Sequence, residues 1–507
     1  MKILIHSSIS LCTPSRAILY DEAEIYAREG HEVFFLYCGE LMDICLTNPT
    51  SDRAGCIICR KNYLKEQKTL SKKIHFLSLK KYSEGKNLQS NFPDFDYFTI
   101  DDIKKIKYKG SSIGLSALST YISITRNLSP LIDSDFKIYF NQLLYSSIKL
   151  IDVLEIIIEE INPGRVLLYN GRLSDSRPVW EFAQLKGIDF FAFEGIIGDK
   201  RMYKSVFHNT ISHMIDARAE MLDKFWNDRT VSLKEKEFFG NLFFEKRRNS
   251  QIAGDKVYTQ NQKIGCLPST WDDNVRNIII FTSSEDEFAA VWDDLSLYKT
   301  FESQLEGIRY IANKFGGRKE FNFYIRIHPN LVSITYKYHT DLYQFASIDN
   351  FYVIDASSPI SSYTLLDSAE KIITFGSTIG IESVYWNKPV ILLGPSDYYY
   401  LGACYLPTDN ASVEKLIEDR LEPKDKLLAL KYGYFLLNEH WPSYKYIDFS
   451  TVVVLFNLGL YRRKVIIDNW LKFLGSRRLY KIFDFIWTRY FKMFYAHERF
   501  KIPLRES

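Results

Sequence analysis

Short apolar strands alternate with helical stretches in two separate parts of this chain. The first part opens with the strand Lys2-Ile3-Leu4-Ile5-His6, continues through a helical pattern over 15–29 that Gly30 ends, and returns to a strand over 31–37. A strand, a helix, a glycine and a second strand in this order predict a βαβ unit, whose two strands run parallel. The sequence therefore predicts an α/β fold with doubly wound sheets.

The same alternation divides the chain into domains. Residues 60–135 are polar and irregular, and we interpret them as an insertion of short helices and loops. Residues 251–276 are polar, contain glycine and proline, and read as a linker. The further predicted strands cover 165–169, 189–193, 277–281, 322–327, 351–354, 371–375 and 389–393. We predict two Rossmann-like domains over 1–250 and 277–445, a cleft between them, and a helical tail over 446–507.

The net charge and the hydropathy pattern argue against several classes of protein. The net charge of +3 over 507 residues is too small to indicate a nucleic-acid partner. The apolar run Ile3-Leu4-Ile5 ends after three residues at His6, whereas a secretory signal needs about 7–15 apolar residues. No stretch reaches the roughly 18 apolar residues that span a bilayer. We therefore expect a cytoplasmic protein.

Polar residues follow the predicted strands of the second domain. In an open parallel sheet, ligands bind outside the carboxyl ends of the strands. We therefore predict that these residues meet around one ligand: Thr282, Ser283, Ser284, Arg326, His328, Pro329, Asn330, Gly376, Ser377 and Thr378.

The turn Gly376-Ser377-Thr378 is the most informative of these loops. It leads into a helical pattern, and the free N–H groups and dipole at a helix start favour an anion such as a nucleotide phosphate. Gly380 would let a ligand approach the first turn closely, and Glu382 would accept hydrogen bonds from ribose hydroxyls. The alternative is a Ser/Thr helix cap with a capping-type glutamate. For His328 and Arg326, which could donate to a phosphate, the alternatives are a satisfied loop histidine and an arginine pointing away.

These motifs resemble the capsule polysaccharide biosynthesis glycosyltransferases. The resemblance covers about 277–410 and rests on 324–330, 362–366, 375–383 and 387–391, with a similar loop at 282–287. His328-Pro329 also resembles the His-Pro pair of bacterial sialyltransferases, which contacts the phosphate of a CMP-sugar, and the layout is similar to that of CDP-glycerol polymerising transferases. The resemblance implies the GT-B fold and metal-independent transfer, with no cofactor beyond a CMP-, CDP- or UDP-linked sugar donor.

In the GT-B pattern the first domain holds the acceptor and a catalytic base. A base must take a proton from the acceptor hydroxyl as that hydroxyl attacks the anomeric carbon. The candidates at strand ends are Glu194, our first choice, Asp175 and His6. Asn170 and Arg172 lie on the acceptor side, where Arg172 would bind an anionic acceptor. Alternatively, Glu194 pairs with Arg172 or Lys200.

Cys38, Cys45, Cys56 and Cys59 fall close together in the sequence. Four thiolates could hold a structural zinc ion tetrahedrally, although the first pair is spaced more widely than usual. The alternative is a set of unrelated thiols.

The tail over 461–507 is basic, with aromatic rings between the charges. Such a segment can lie on an anionic membrane surface, at the inner face of the cytoplasmic membrane; the alternative is a terminal helix packed across the domains.

We thus predict an inverting glycosyltransferase that extends a lipid-linked surface polysaccharide such as capsule or O-antigen. Its partners would be the nucleotide sugar, the glycan acceptor and an anionic membrane, with no nucleic acid. A nucleotide-sugar epimerase of the same fold and a non-catalytic scaffold of polysaccharide assembly are the alternatives.

Overall fold

The computed structural model describes residues 1–446 apart from 9–12, 52–55, 57–58, 61–62, 65, 69, 86–92, 198–201, 255–256, 293–295 and 439. The predicted tail therefore lies outside the described residues, except Tyr446. The chain forms two compact units. Within the described part, the first unit takes in 1–195, 202–211 and 442–446, and the second takes in 196–197 and 212–441.

The first unit is built on a six-stranded sheet in the order β3-β2-β1-β4-β5-β6. Its strands are β1 (Lys2–Ser7), β2 (Glu32–Tyr37), β3 (Ile74–Ser78), β4 (Arg165–Tyr169), β5 (Asp189–Ile197) and β6 (Met202–His208). Its helices are α1 (Thr13–Arg28), α2 (Leu79–Ser83), α3 (Ile100–Lys104), α4 (Ile113–Thr125), α5 (Ser134–Ile161) and α6 (Arg177–Leu185). This strand order is that of dinucleotide-binding Rossmann folds.

The central strand β1 shows why these residues form a parallel sheet. Ile3, Leu4 and Ile5 are fully buried, because helices cover both faces of such a sheet. Ile5 pairs with Phe35 of β2 on one side and Leu167 of β4 on the other, both in parallel register.

The interpretation of residues 60–135 as an insertion is wrong. Strand β3 lies inside this range and pairs in parallel with β2, with Phe76 opposite Phe35. Helix α4 is buried over 113–122 and contacts α5. Both elements therefore belong to the core of the first unit.

The second unit contains a five-stranded sheet in the order β11-β10-β7-β8-β9. Its strands are β7 (Arg276–Phe281), β8 (Phe321–Arg326), β9 (Phe351–Ile354), β10 (Lys371–Thr374) and β11 (Val390–Leu392). Its helices are α7 (Ile215–Asn227), α8 (Leu233–Arg248), α9 (Gln304–Phe315), α10 (Lys337–Thr340), α11 (Ser362–Ser368), α12 (Ile379–Tyr385), α13 (Asn410–Glu418) and α14 (Lys426–Leu437). Counted from β7, the order is again 3-2-1-4-5, so both units are Rossmann-like, as predicted.

Helices α7 and α8 belong to the second unit, whereas the sequence placed residues up to 250 in the first. Both helices pack on α14. At the crossing of α8 with α14, a β-carbon on Gly433 would lie 2.7 Å from the carbonyl oxygen of Gly240. The two backbones therefore touch, and this close packing joins α8 to the second sheet.

Residues 442–446 return to the first unit. The carboxylate of Asp21, on α1, accepts hydrogen bonds from the backbone N–H groups of Lys445 and Tyr446 and from the ammonium of Lys204. Asp21 is fully buried, so the charge needs these donors. Among the described residues, no helix combines the length and the apolar character needed to cross a membrane.

Candidate functional site

The second sheet reverses its winding between β7 and β10. β7 is followed along the chain by its neighbour β8, whereas β10 continues to β11 on the opposite side. At such a switch point the loops after the two strands separate and leave a crevice at the carboxyl edge of the sheet. Residues 282–288 follow β7 and residues 375–378 follow β10, so both loops border this crevice.

A cavity of about 200 Å³ occupies the crevice. Most of the side chains predicted to bind the donor line it, which means that they lie around one space as expected. They are Thr282, Ser283, Ser284, Arg326, His328, Pro329, Gly376, Ser377, Thr378 and Glu382. Asn330 and Gly380 are not part of this lining.

The hydroxyls after β7 bond to neighbouring loops. Ser283 Oγ donates to the carbonyl oxygen of Phe375 over 3.0 Å, and its N–H donates to Gln304 Oε1 over 2.9 Å. Ser284 Oγ accepts from the Asn330 amide over 3.1 Å. These side chains therefore position the segments to which they bond, a role that the sequence does not reveal.

His328 is oriented by the residues after it. The backbone N–H of Asn330 donates to His328 Nδ1 over 3.1 Å. Because Nδ1 accepts this bond, the neutral imidazole carries its proton on Nε2. The ring of Tyr258 stands edge-on to the imidazole, with 5.2 Å between centroids. An Nε2–H group could donate to a phosphate oxygen, so the phosphate contact of His328 stays a prediction.

The turn after β10 is fixed by close backbone contacts. Gly376 has φ +109°, and a β-carbon there would lie 2.0 Å from the carbonyl oxygen of Pro395, so only glycine fits. The Tyr398 hydroxyl donates to the carbonyl oxygen of Ser377 over 2.6 Å. Within the described chain, Thr378 makes no capping hydrogen bond from its side chain, although it is the N-cap of α12. Its hydroxyl borders the cavity.

Gly380 has a role other than the predicted one. A β-carbon on Gly380 would lie 2.5 Å from the Tyr398 hydroxyl oxygen. The glycine therefore makes room for the Tyr398 ring and not for the approach of a ligand. Burial raises the pKa of Tyr398, so the hydroxyl remains a donor to Ser377.

Glu382 lies at the cavity with its carboxylate paired inside the protein. Arg247 Nε donates to Oε1 over 2.8 Å, and the Tyr363 hydroxyl donates to Oε2. Burial, then the charge of Glu382, raise the pKa of Tyr363 far above its usual value. Each carboxylate oxygen has two lone-pair sites, so Glu382 can still accept from a ribose. The capping-type alternative is not seen, since both oxygens accept from side chains.

Arg326 is the last residue of β8, and its buried guanidinium reaches the loop after β9. Its guanidinium donates to the carbonyl oxygens of Asp355 and Ser358, the second over 3.0 Å. Burial lowers its pKa to about 10. Arg326 therefore holds the 355–358 loop. The predicted phosphate contact could be made only by the part of the guanidinium that faces the cavity.

One wall of the cavity comes from residues that the sequence analysis assigned to the linker or to the first domain. They are Arg247, Val257, Tyr258, Thr259 and Gln262. This segment is tied to the start of α11, since Gln262 Oε1 accepts from the N–H of Ser362 over 2.8 Å. No periodic pattern marks it, so only the structure reveals it.

Glu194, the predicted base, is half-buried within β5, one residue beyond the last pairing of this strand with β4. Asn170 Nδ2 donates to its Oε1 over 2.7 Å, and Asn170 Oδ1 accepts from the N–H of Arg172. The Arg172 guanidinium donates to Ser119 Oγ over 3.1 Å. The structure thus brings Glu194 and Asn170 together at the carboxyl edge of the first sheet.

Asp175 and His6 are buried, at 3% and 2% exposure. Ser8 Oγ donates to Asp175 Oδ2, and burial raises the pKa of this carboxyl. Burial lowers the pKa of His6 to about 4. A fully buried carboxyl cannot meet an acceptor sugar directly, so Asp175 fits the acceptor side less well than Glu194.

Cys38, Cys45, Cys56 and Cys59 line one small cavity in the first unit. Cys45 contacts the Thr47 hydroxyl, and Cys56 accepts from the Asn48 amide. Burial raises the pKa of Cys38 and brings that of Cys45 to about 12. Among the described residues, no group of three or more His, Cys, Asp or Glu side chains is arranged to hold a metal ion. The described residues thus show no preformed zinc site, and zinc binding by these thiols stays a prediction.

Several solved structures share features of this fold at low similarity. The KpsC β-Kdo 2,4 transferase of Thermosulfurimonas dismutans is 15% identical, with a TM-score of 0.36 over 54% of this chain and 79% of its own. The UDP-GlcNAc 2-epimerase of Neisseria meningitidis is 12% identical, with a TM-score of 0.27 over 90% of this chain and 100% of its own. At these values the fold assignment depends on the chain's own strand order.

No curated protein matches the chain. A family model does match, and it covers residues 290–436, from the loop after β7 to the end of α14. This range contains the His-Pro and Gly-Ser-Thr loops of the cavity. Over residues 290–436, therefore, the chain matches the model of the capsule polysaccharide biosynthesis proteins, the family that its motifs resemble.

Proposed function

We propose that this protein is a glycosyltransferase that moves a sugar from a nucleotide-sugar donor to a growing surface polysaccharide such as capsule or O-antigen. The observation that carries the proposal is the cavity at the switch point of the second sheet. There the turn at Ser377 and Thr378, the imidazole of His328 and the carboxylate of Glu382 surround one space. The capsule family match over 290–436 supports the same function.

The cavity supplies the groups that a nucleotide sugar needs. The hydroxyl donors of Ser377 and Thr378, with His328 Nε2–H, fit the phosphate, and Glu382 fits the ribose. As the bond from the anomeric carbon to the phosphate oxygen breaks, the nucleotide leaves with the electron pair, and His328 stabilises its charge. These donors do the work for which other transferases use a metal ion, so we propose metal-independent transfer.

The acceptor would be bound by the first unit, with Asn170 and Arg172 at its site. In a direct displacement the acceptor hydroxyl attacks the anomeric carbon and gives its proton to Glu194. One displacement inverts the configuration at that carbon. A lipid-linked glycan is the proposed acceptor.

A thermal-shift screen of the full chain against CMP, CDP and UDP tests donor binding first. A ligand present at 100 times its Kd adds about 2.7 kcal/mol of stability, which is easily measured. We expect one nucleotide to raise the melting temperature above the others. No shift with any of them would favour a scaffold of polysaccharide assembly. Release of a free, epimerised sugar from the nucleotide sugar without an acceptor would favour an epimerase.

We further propose that the protein works at the cytoplasmic face of the membrane. Support comes from the sequence of 461–507, where basic residues and aromatic rings alternate. Co-sedimentation with anionic liposomes should fall when 461–507 is removed. Unchanged co-sedimentation would indicate that the tail packs on the protein instead.

A further inference from the structure

Arg247 occupies a place in the cavity that the sequence motifs do not reveal. It is near the end of α8, outside the second sheet and outside the range that matches the capsule family. Its side chain is 12% exposed and lines the cavity. A cation at this point therefore faces whatever the cavity binds.

The partner of Arg247 is the carboxylate that we assign to the donor ribose. Glu382 has a side-chain exposure of 3%, and Arg247 Nε donates to its Oε1 over 2.8 Å. The Tyr363 hydroxyl donates to the other oxygen, and Tyr398 lies near enough to feel the charge. A carboxylate buried this far needs a cation or several hydrogen-bond donors to compensate for its lost hydration. Arg247 is the cation in this group.

The neighbouring residue Arg248 has a different place. Its guanidinium pairs with Asp367 and lies 4.3 Å from the Trp386 ring centroid. The Asp367 side chain is 46% exposed, and neither residue of this pair is part of the cavity lining. Two consecutive arginines therefore end the same helix, but only Arg247 reaches the cavity.

We propose that Arg247 is a positioning residue that orients the carboxylate of Glu382, so that its remaining lone pairs accept hydrogen bonds from the donor's ribose hydroxyls. The proposal rests on the proposed function, because it assumes a nucleotide in the cavity. It adds that ribose recognition depends on α8 as well as on the Gly-Ser-Thr motif. Packing of α8 on α14 holds the guanidinium in place.

The test compares nucleotides with and without their ribose hydroxyls. We would measure by calorimetry the affinity of the full chain for CMP, CDP and UDP and for their 2′,3′-dideoxy forms. For the nucleotide that binds best, we expect about a tenfold or larger preference for the ribose form, as for hydrogen bonds to a charged acceptor. In Arg247→Met this preference should fall to about threefold or less, because the carboxylate loses the donor that orients it.

Arg248→Met is the matched control and should keep the full preference. Arg247→Lys should restore part of it, because an ammonium still opposes Glu382. If Arg247→Met fails to fold, Arg247→Gln removes the charge while keeping an N–H donor, and it provides the same comparison. An unchanged ribose preference in the charge-removing variant would overturn the proposal. Absence of nucleotide binding in the unaltered protein would instead overturn the proposed function.

Discussion

The hydroxyl of Thr282, just after β7, accepts a hydrogen bond from the backbone N–H of His328, just after β8, over 2.8 Å. Thr282 is 1% exposed, so this bond is made inside the protein. The ends of two neighbouring strands are joined by it, and the His-Pro loop starts from a fixed point. The proposed phosphate contact of His328 thus depends on a residue that has no need to touch the phosphate.

Thr282→Val should weaken nucleotide binding and lower stability together. Valine has the same shape but leaves the buried N–H of His328 without its acceptor, which costs about 1–3 kcal/mol. Urea unfolding and nucleotide calorimetry would measure both effects. Thr282→Ser keeps the hydroxyl and serves as the control. Equal stability and affinity in the valine variant would show that the bond is unimportant.

Thr378→Val should reduce nucleotide affinity severalfold while the melting temperature stays unchanged. In the described chain its side chain makes no capping bond, so its loss removes a donor to the ligand without disturbing α12. Ser383→Ala is the control on the same helix, since that hydroxyl bonds to the carbonyl oxygen of Ile379. Undiminished affinity of Thr378→Val would place the phosphate elsewhere.

Glu194→Gln should abolish sugar transfer and leave nucleotide binding intact. The amide keeps a hydrogen-bonding side chain beside Asn170 but cannot take a proton. Transfer to an acceptor and nucleotide calorimetry would be measured on the same preparation. The exposed Glu29→Gln is the control. Full transfer activity in Glu194→Gln would exclude Glu194 as the base.

Metal analysis of the purified protein tests the four cysteines of the first unit. If they bind structural zinc, we expect about one equivalent, lost together with stability on chelation. Replacement of Cys45 by serine should then reduce the zinc content, whereas replacement of the exposed Cys266 should not. Metal-free protein that is fully stable would identify the cysteines as ordinary buried thiols.

Glu285, in the loop after β7, predicts a pH-dependent stability. Burial raises its pKa from 4.5 to about 7. Between these values the folded state holds a proton that the unfolded state has lost, so the stability contribution of Glu285 falls as the pH increases from 4.5 to 7. Glu285→Gln should therefore be more stable than the unaltered protein at pH 8, by about 2 kcal/mol, and nearly equal to it at pH 4.5.

Urea unfolding of both proteins at these pH values would measure the difference. Glu302→Gln, at a side chain that is 82% exposed, is the control and should show no such trend. A gain for Glu285→Gln that is the same at pH 4.5 and pH 8 would contradict the ionisation argument.

The location of the cavity could be predicted from the sequence because parallel strands end at one edge. The residues that follow positions 281, 326 and 375 lie at that edge whatever the length of the connections between the strands. What each hydroxyl does could not be predicted: Thr282 and Ser283 bond to backbone groups that come close only in the folded sheet.

Elements that lack a periodic signal were missed or misplaced. Strand β3 is only five residues long and follows a lysine-rich stretch, so its apolar alternation is too short to recognise. The sequence of helix α8 gave no sign of the unit to which the helix belongs, since its partner α14 begins only at Lys426. Arg247 was missed for the same reason.

The contact between Gly240 and Gly433 has a practical consequence for the expression of the second unit alone. A fragment that begins at the predicted linker would lack α8. The apolar side of α14 that packs on α8 would then be exposed to water. A fragment that begins before Ile215 retains the packing of α8 on α14, and it retains Arg247 as well.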